Sequence, residues 1–311
     1  MQQIKTTRIS GDFASATGNI EYGFTNDYMF RVVLQKNKKV LKSLICALLH
    51  LKSEEVISVE ITNPIVLGET IADKDFMLDI HVSLNNNTNI NLEMQVQNLG
   101  NWTERSLSYL CRSFDNLNSG DDYKDATPAI HIGFLDFTLF PEVPEFYATY
   151  RMMNVKNHHL YSSKFTLSVV DLTKIDLATA EDKTWGIDHW ARLFKATTWE
   201  EIKMIAKNSE TLQEASETLY SMHCEETIRG MARARQDYNR LHNYLDHKIA
   251  TLEADNEKLT SDNEKLTSDV EKLSSDNEKL SSDVEKLSSA LAEKDAEIAA
   301  LRAQAEQKPK R

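Results

Sequence analysis

The sequence predicts an α/β head followed by a helical region and a long C-terminal coiled coil. Three observations carry this. Between about Thr25 and Leu172, stretches with helical spacing of apolar residues alternate with stretches of period two. From Thr184 onward the strand signal is gone, and Trp185, Trp190, Phe194, Trp199, Ile202 and Ile205 recur at helical spacing. From Asp255 to Ser289 the chain repeats seven residues five times, the period of a coiled coil.

Composition sets the outer limits. A chain of 311 residues, 41% of them hydrophobic, can bury a substantial core. The N-terminal MQQIKTTRISGDF lacks the apolar segment that secretion requires. No run reaches the about 20 apolar residues of a membrane span, so no membrane partner is expected. Cys46, Cys111 and Cys224 are too widely separated for a local metal knuckle, and an odd count argues against a disulfide framework. A reducing, cytoplasmic location is the expectation. The net charge of −12 excludes a global field that draws in nucleic acid; such a partner needs a local basic surface.

Taken in order, residues 1–20 are polar and expected to be flexible. Thr25-Asn26-Asp27 can cap a helix carrying Met29, Phe30, Val33, Leu34, Leu41 and Leu44 and continuing to Leu51. Val56 to Val66 reads as a first strand. A hairpin follows over Phe76 to Gln97. In its first arm Phe76, Leu78, Ile80, Val82 and Leu84 alternate with Met77, Asp79, His81 and Ser83; in its second, Ile90, Leu92, Met94 and Val96 alternate with Asn91, Glu93, Gln95 and Gln97. The Asn-rich run between the arms suits a turn. If both apolar rows face one core, Asp79, Glu93 and Gln95 share the other face, with Asp79 roughly opposite Gln95. Two carboxylates and an amide oxygen there could hold a hard divalent cation. The same pattern also fits an antiparallel hairpin with one wet face.

Trp102 to Asn118 has helical spacing, with Gly120 as its stop. On it Arg105, Tyr109 and Arg112 fall at i, i+4 and i+7 and share one face, which suits phosphate contact and equally a solvated surface. Ala129 to Phe137, AIHIGFLDF, is a candidate central strand buried on both faces. Glu145 to Met152 and Phe165 to Leu172 read as further strands, and the head, residues 21–176, ends there. Residues 177–244 form a helical extension ending in a basic cluster, Arg229, Arg233, Arg235 and Arg240, which also balances Glu225 and Glu226.

In the heptads, leucines from Leu252 to Leu287 occupy d, and Ile249, Asn256, Asn263, Val270, Asn277, Val284, Leu291 and Ile298 occupy a. Each buried Asn pairs best with its own copy, so Asn256, Asn263 and Asn277 select a parallel homodimer in one register over residues 245–303. The five blocks carry −5 of the −12 charge. Residues 304–311 read as a disordered basic tail.

An ordered series of motifs resembles the PD-(D/E)XK nuclease family transposases, the Rpn family of recombination-promoting nucleases. It comprises Thr25-Asn26-Asp27 with Phe30, LDI at Leu78 to Ile80, LEMQ at Leu92 to Gln95, Arg105 and Tyr109, Gly120 with Tyr123, and the AIHIGFLDF strand. The resemblance implies a restriction-endonuclease-like core with a central mixed sheet flanked by helices. It also implies Mg²⁺-dependent endonuclease cleavage of DNA, with Mn²⁺ as a possible substitute, in a transposase or recombination setting. Asp79 and Glu93 match the family's metal ligands, and Gln95 stands where the superfamily motif has Lys. Lys74 is a candidate for the missing cation, and Asp27 for an accessory group. The alternative is a catalytically inactive nuclease fold that binds or scaffolds through its coiled coil.

Overall fold

The computed structural model describes residues 12–65, 79–85 and 87–306, and these fall into two compact units divided between Asn239 and Arg240. The first unit is built on a six-stranded mixed sheet in the order β1-β2-β3-β4-β6-β5. Its strands are β1 (Val59–Ile61), β2 (Ile80–Leu84), β3 (Thr88–Gln95), β4 (Ala129–Leu135), β5 (Tyr147–Arg151) and β6 (Phe165–Asp171). β1, β2 and β3 run as an antiparallel meander, β3, β4 and β6 are parallel, and β5 pairs antiparallel with β6 at the edge. This is the mixed α/β sheet expected of a restriction-endonuclease-like core.

Helices cover the two faces unequally. On one side lie α1 (Asp27–Lys36), α2 (Lys38–Leu49) and α4 to α7 (Ala180–Thr184, Ile187–Lys195, Trp199–Ala206 and Glu210–Cys224). Phe30 of α1, Phe134 of β4 and Phe194 of α5 meet with ring centroids 5.3–5.5 Å apart, so the helices that follow the sheet share its main core. The opposite face carries α3 (Trp102–Phe114), which touches β3, β4 and β6 and builds a smaller core from Trp102, Leu135 and Val169.

Several expectations need correcting. The first helix is not continuous to Leu51: Asn37 is extended (φ −122°, ψ 94°), ends α1, and accepts the amides of Lys39 and Val40 to start α2. Nor does Asp79 stand opposite Gln95. Ile80 pairs with Leu92 and Leu84 with Thr88, a register that continues to Asp79 opposite Glu93. The turn is tighter than its Asn content suggested, with Asn85 left-handed at φ 51° and its side chain accepting the amides of Ile57 and Ser58. The first strand is also shorter than Val56 to Val66, and the helix from Trp102 ends at Phe114 rather than Asn118. Phe76, Met77 and Leu78 lie outside the described residues.

Gly133 sets how closely α3 approaches. A Cβ there would sit 2.1 Å from Cζ2 of Trp102, so only glycine lets the indole lie flat on β4. The second unit is the part of α8 (Glu226–Glu306) from Arg240 onward. Within it Leu252, Leu259, Leu266, Leu273, Leu280 and Leu287 are all more than half exposed in the single chain.

Gly133→Ala should lift α3 off the sheet at a cost of about 2 kcal/mol or more, as overpacking does. Denaturant unfolding that gives an unchanged midpoint would show that Trp102 does not depend on that space.

Candidate active site

The chemistry sits on the α3 face of the sheet, and burial there contradicts a wet face. Asp79 is 7% exposed, Glu93 4% and Gln95 8%. Parallel pairing sets Asn91 beside His131 and Glu93 beside Gly133. The side-chain-free Gly133 leaves room over Glu93, and α3 closes that room.

Glu93 is the centre of the cluster. Arg105, one turn into α3, brings Nη2 to 2.6 Å from Oε1, and the fully buried His131 places Nε2 at 3.7 Å from Oε2. Burial raises the Glu93 carboxyl to about 7; Arg105 opposes this, while the charges of Asp79 and Asp27 add to it. Burial likewise lowers His131 to about 4, keeping the ring neutral near neutrality. The Asp79 carboxyl is held below its ordinary range: burial raises it, but the hydrogen bond and charge of His81 and the nearby Arg31 outweigh that. His81 Nε2 lies 2.7 Å from Asp79 Oδ2.

Asp79 is placed from the other side of the sheet. Arg31 of α1, fully buried, donates to the backbone oxygens of Asp79 and Asn63, and Asn63 Nδ2 donates to the same Asp79 oxygen at 3.0 Å. The Asn63 side chain also accepts the His81 amide at 2.9 Å. Sequence reading missed Arg31, Asn63 and His131. A signal existed for two of them, since Arg31 and His131 each interrupt an otherwise apolar buried stretch.

The remaining candidates divide. Gln95 Nε2 donates to the Gln97 carbonyl at 3.0 Å. Arg105 and Tyr109 meet and Arg112 stands apart: the Arg105 guanidinium is tied to Glu93 and lies 5.4 Å over the Tyr109 ring, Tyr109 packs against His131 at 6.1 Å, and Arg112 is exposed. Asp27 is paired to Nε and Nη2 of Arg235 on α8, at 2.8 and 2.7 Å. Lys74 lies outside the described residues.

Among the described residues, no three His, Cys, Asp or Glu side chains group as a ready metal cage. The donor set nevertheless fits an ion that takes one or two carboxylates and keeps waters. Asn91 Oδ1, Glu93 Oε2, Trp102 Nε1, Arg105 Nε and His131 Nε2 are all buried without a hydrogen bond, a local concentration of unmet polar atoms that dry packing does not tolerate.

The model of the PD-(D/E)XK nuclease family transposases matches residues 24–252. A second model, described as FAZ1, C-terminal, matches residues 253–287 and 267–298, two overlapping placements on the heptad repeat. No curated protein and no solved structure matches the chain.

Because Glu93 rises from 4.5 to about 7 on folding, the unfolded chain ionises first, and stability falls as pH climbs through that window. Glu93→Gln should remove the slope. In metal-free buffer, the drop in Tm between pH 5 and pH 7.5 should be smaller in the variant by several degrees; equal drops would mean that Glu93 is already ionised at pH 5.

Proposed function

We propose that the chain, which belongs to the PD-(D/E)XK nuclease family transposases, is a Mg²⁺-dependent DNA endonuclease that acts as a dimer. The observation that carries this is the placing of Asp79 and Glu93 on one buried face, with an unsatisfied carboxylate oxygen between Arg105 and His131. A carboxylate buried at this depth is a poor structural choice unless a cation completes it.

Asp79 and Glu93 would hold the ion, and Gln95, whose nitrogen is committed to Gln97, offers its oxygen. Bound Mg²⁺, or Mn²⁺ in its place, would offset charge on the phosphate and lower the pKa of water. Arg31 and Asn63 fix the backbone of Asp79, so its carboxylate keeps one direction when substrate arrives. Gln95 supplies neither the positive charge nor the base of the superfamily lysine. In the proposed complex Arg105 and the exposed Arg112 contribute positive charge at the phosphate backbone, which positions DNA without reading its sequence. The exposure of Arg105, about a third of its side chain, lets it face both Glu93 and solvent.

The coiled coil supplies the second subunit. Its d leucines and a-position residues are exposed along one stripe of α8, over about 80 Å of helix from Ile249 to Leu301. A parallel pair holds two heads at the same end, so two sites address the two strands of one duplex. The recombination role expected of the family rests on such paired cuts.

Asp79→Ala and Glu93→Ala should each reduce plasmid cleavage with Mg²⁺ by at least about a thousandfold, on the scale of a lost metal-catalysed step. Both side chains are buried and Glu93→Ala leaves Arg105 unpaired, so near-ultraviolet circular dichroism of each variant is compared with wild type and the loss is read as catalytic where the fold is kept. Undiminished cleavage by both variants, or cleavage unaffected by EDTA, would refute the reading. The full-length chain should sediment as a dimer at micromolar concentration, and truncation after Tyr244 should leave a monomer that nicks but seldom cuts both strands. A full-length monomer would refute the role given to the repeat.

A further inference from the structure

Two buried atoms able to ligate a metal, one on Glu93 and one on His131, face each other. Glu93 Oε2 and His131 Nε2 stand 3.7 Å apart, and neither has a hydrogen bond. The separation is too long for a hydrogen bond. Two atoms each about 2.1 Å from one ion lie about 3 Å apart at right angles and about 4 Å apart when opposed, and 3.7 Å falls between the two, within the range that two ligands of one ion span.

The other side of the imidazole supports this. Nδ1 of His131 lies 3.0 Å from Nδ2 of Asn91, and Asn91 Oδ1 is buried without a partner. Half a rotation of the amide within the same volume sets Oδ1 against Nδ1. The ring then donates from Nδ1 to Asn91, satisfies that oxygen, and presents a bare Nε2 lone pair toward Glu93. A ligating histidine usually has such an acceptor on its second nitrogen. Trp102 and Tyr109, with ring centroids 5.5 and 6.1 Å from the imidazole, wall it in on the α3 side. A water in the gap would serve Oε2 and Nε2 and leave Asn91 Oδ1 unpaired.

We propose that His131, seated by Asn91, is a metal ligand alongside Glu93, and that its nitrogen makes the site prefer Mn²⁺ to Mg²⁺. This deepens the metal-dependent reading and rests on it. Imidazole nitrogen suits first-row transition ions over Mg²⁺, and Mn²⁺ is the one among them that also suits carboxylate and water oxygens. In this arrangement Glu93 meets the ion through Oε2 while Arg105 keeps Oε1.

The test is pulsed electron paramagnetic resonance of Mn²⁺ added to the full-length protein without DNA, together with Mn²⁺ and Mg²⁺ titrations. Wild type should show ¹⁴N modulation from a directly bound imidazole. H81Q should keep the modulation, which separates His131 from the other histidine near the site and serves even where H131Q does not fold. H131Q should lose it, and its Mn²⁺ affinity should fall about tenfold or more, narrowing the preference over Mg²⁺. Mn²⁺ that binds wild type and is lost in E93A, yet shows no ¹⁴N modulation or loses it in H81Q, overturns this assignment and leaves the metal-dependent reading intact. Failure of wild type to bind Mn²⁺ at all overturns both.

Discussion

The site depends on keeping one carboxylate away from water. Glu93 sits on a central strand with a sheet beneath it and a helix above it, 4% exposed. Charge in such a place is stable only when compensated. Each neighbour follows from that need. Gly133 makes the space, Trp102 closes it, and Arg105 enters from the same helix to neutralise Oε1. Oε2 stays unmet, and that residual demand is what the proposed cation would answer.

The sheet also divides labour between its faces. The deep face, under α1, α2 and α4 to α7, supplies most of the buried apolar surface and with it most of the stability. The thin face, which among the described residues α3 covers, carries the polar cluster. Arg31 joins the two by reaching from α1 to the carbonyl of Asp79 at the start of β2. An unsatisfied backbone oxygen at that strand end would be free to turn, and the carboxylate with it. The rigid core thus orients Asp79 through its backbone.

Much of this was legible in the sequence. Period-two alternation located β2 and β3 and put Asp79, Glu93 and Gln95 on one face, because a half-slip would expose Ile80, Val82, Ile90 and Leu92. The seven-residue repeat marked a stretch that is helical throughout in α8. What local pattern could not show was anything fixed by tertiary approach. The closure of α3 over the polar face depends on Gly133 and Trp102, which lie 31 residues apart in sequence. The ion pair of Arg105 depends on that closure. Arg31 reads as one polar residue on a helix buried nearly all round, and its partners are backbone oxygens that leave no mark in composition. The register error has the same source: an Asn-rich loop is read as long, but Asn85 adopts a left-handed conformation and shortens the turn.

A buried Glu93 whose carboxyl is raised to about 7 and that must be ionised to accept the proposed cation is the central claim, and proton release measures it directly. Titration calorimetry of the full-length protein with Mn²⁺, repeated in buffers of different ionisation enthalpy, counts the protons expelled per ion. With Glu93 at about 7, binding should release close to one proton at pH 6 and almost none at pH 8, and Glu93→Gln should abolish the release. Binding with no proton released at pH 6, or release unchanged in Glu93→Gln, would contradict the account.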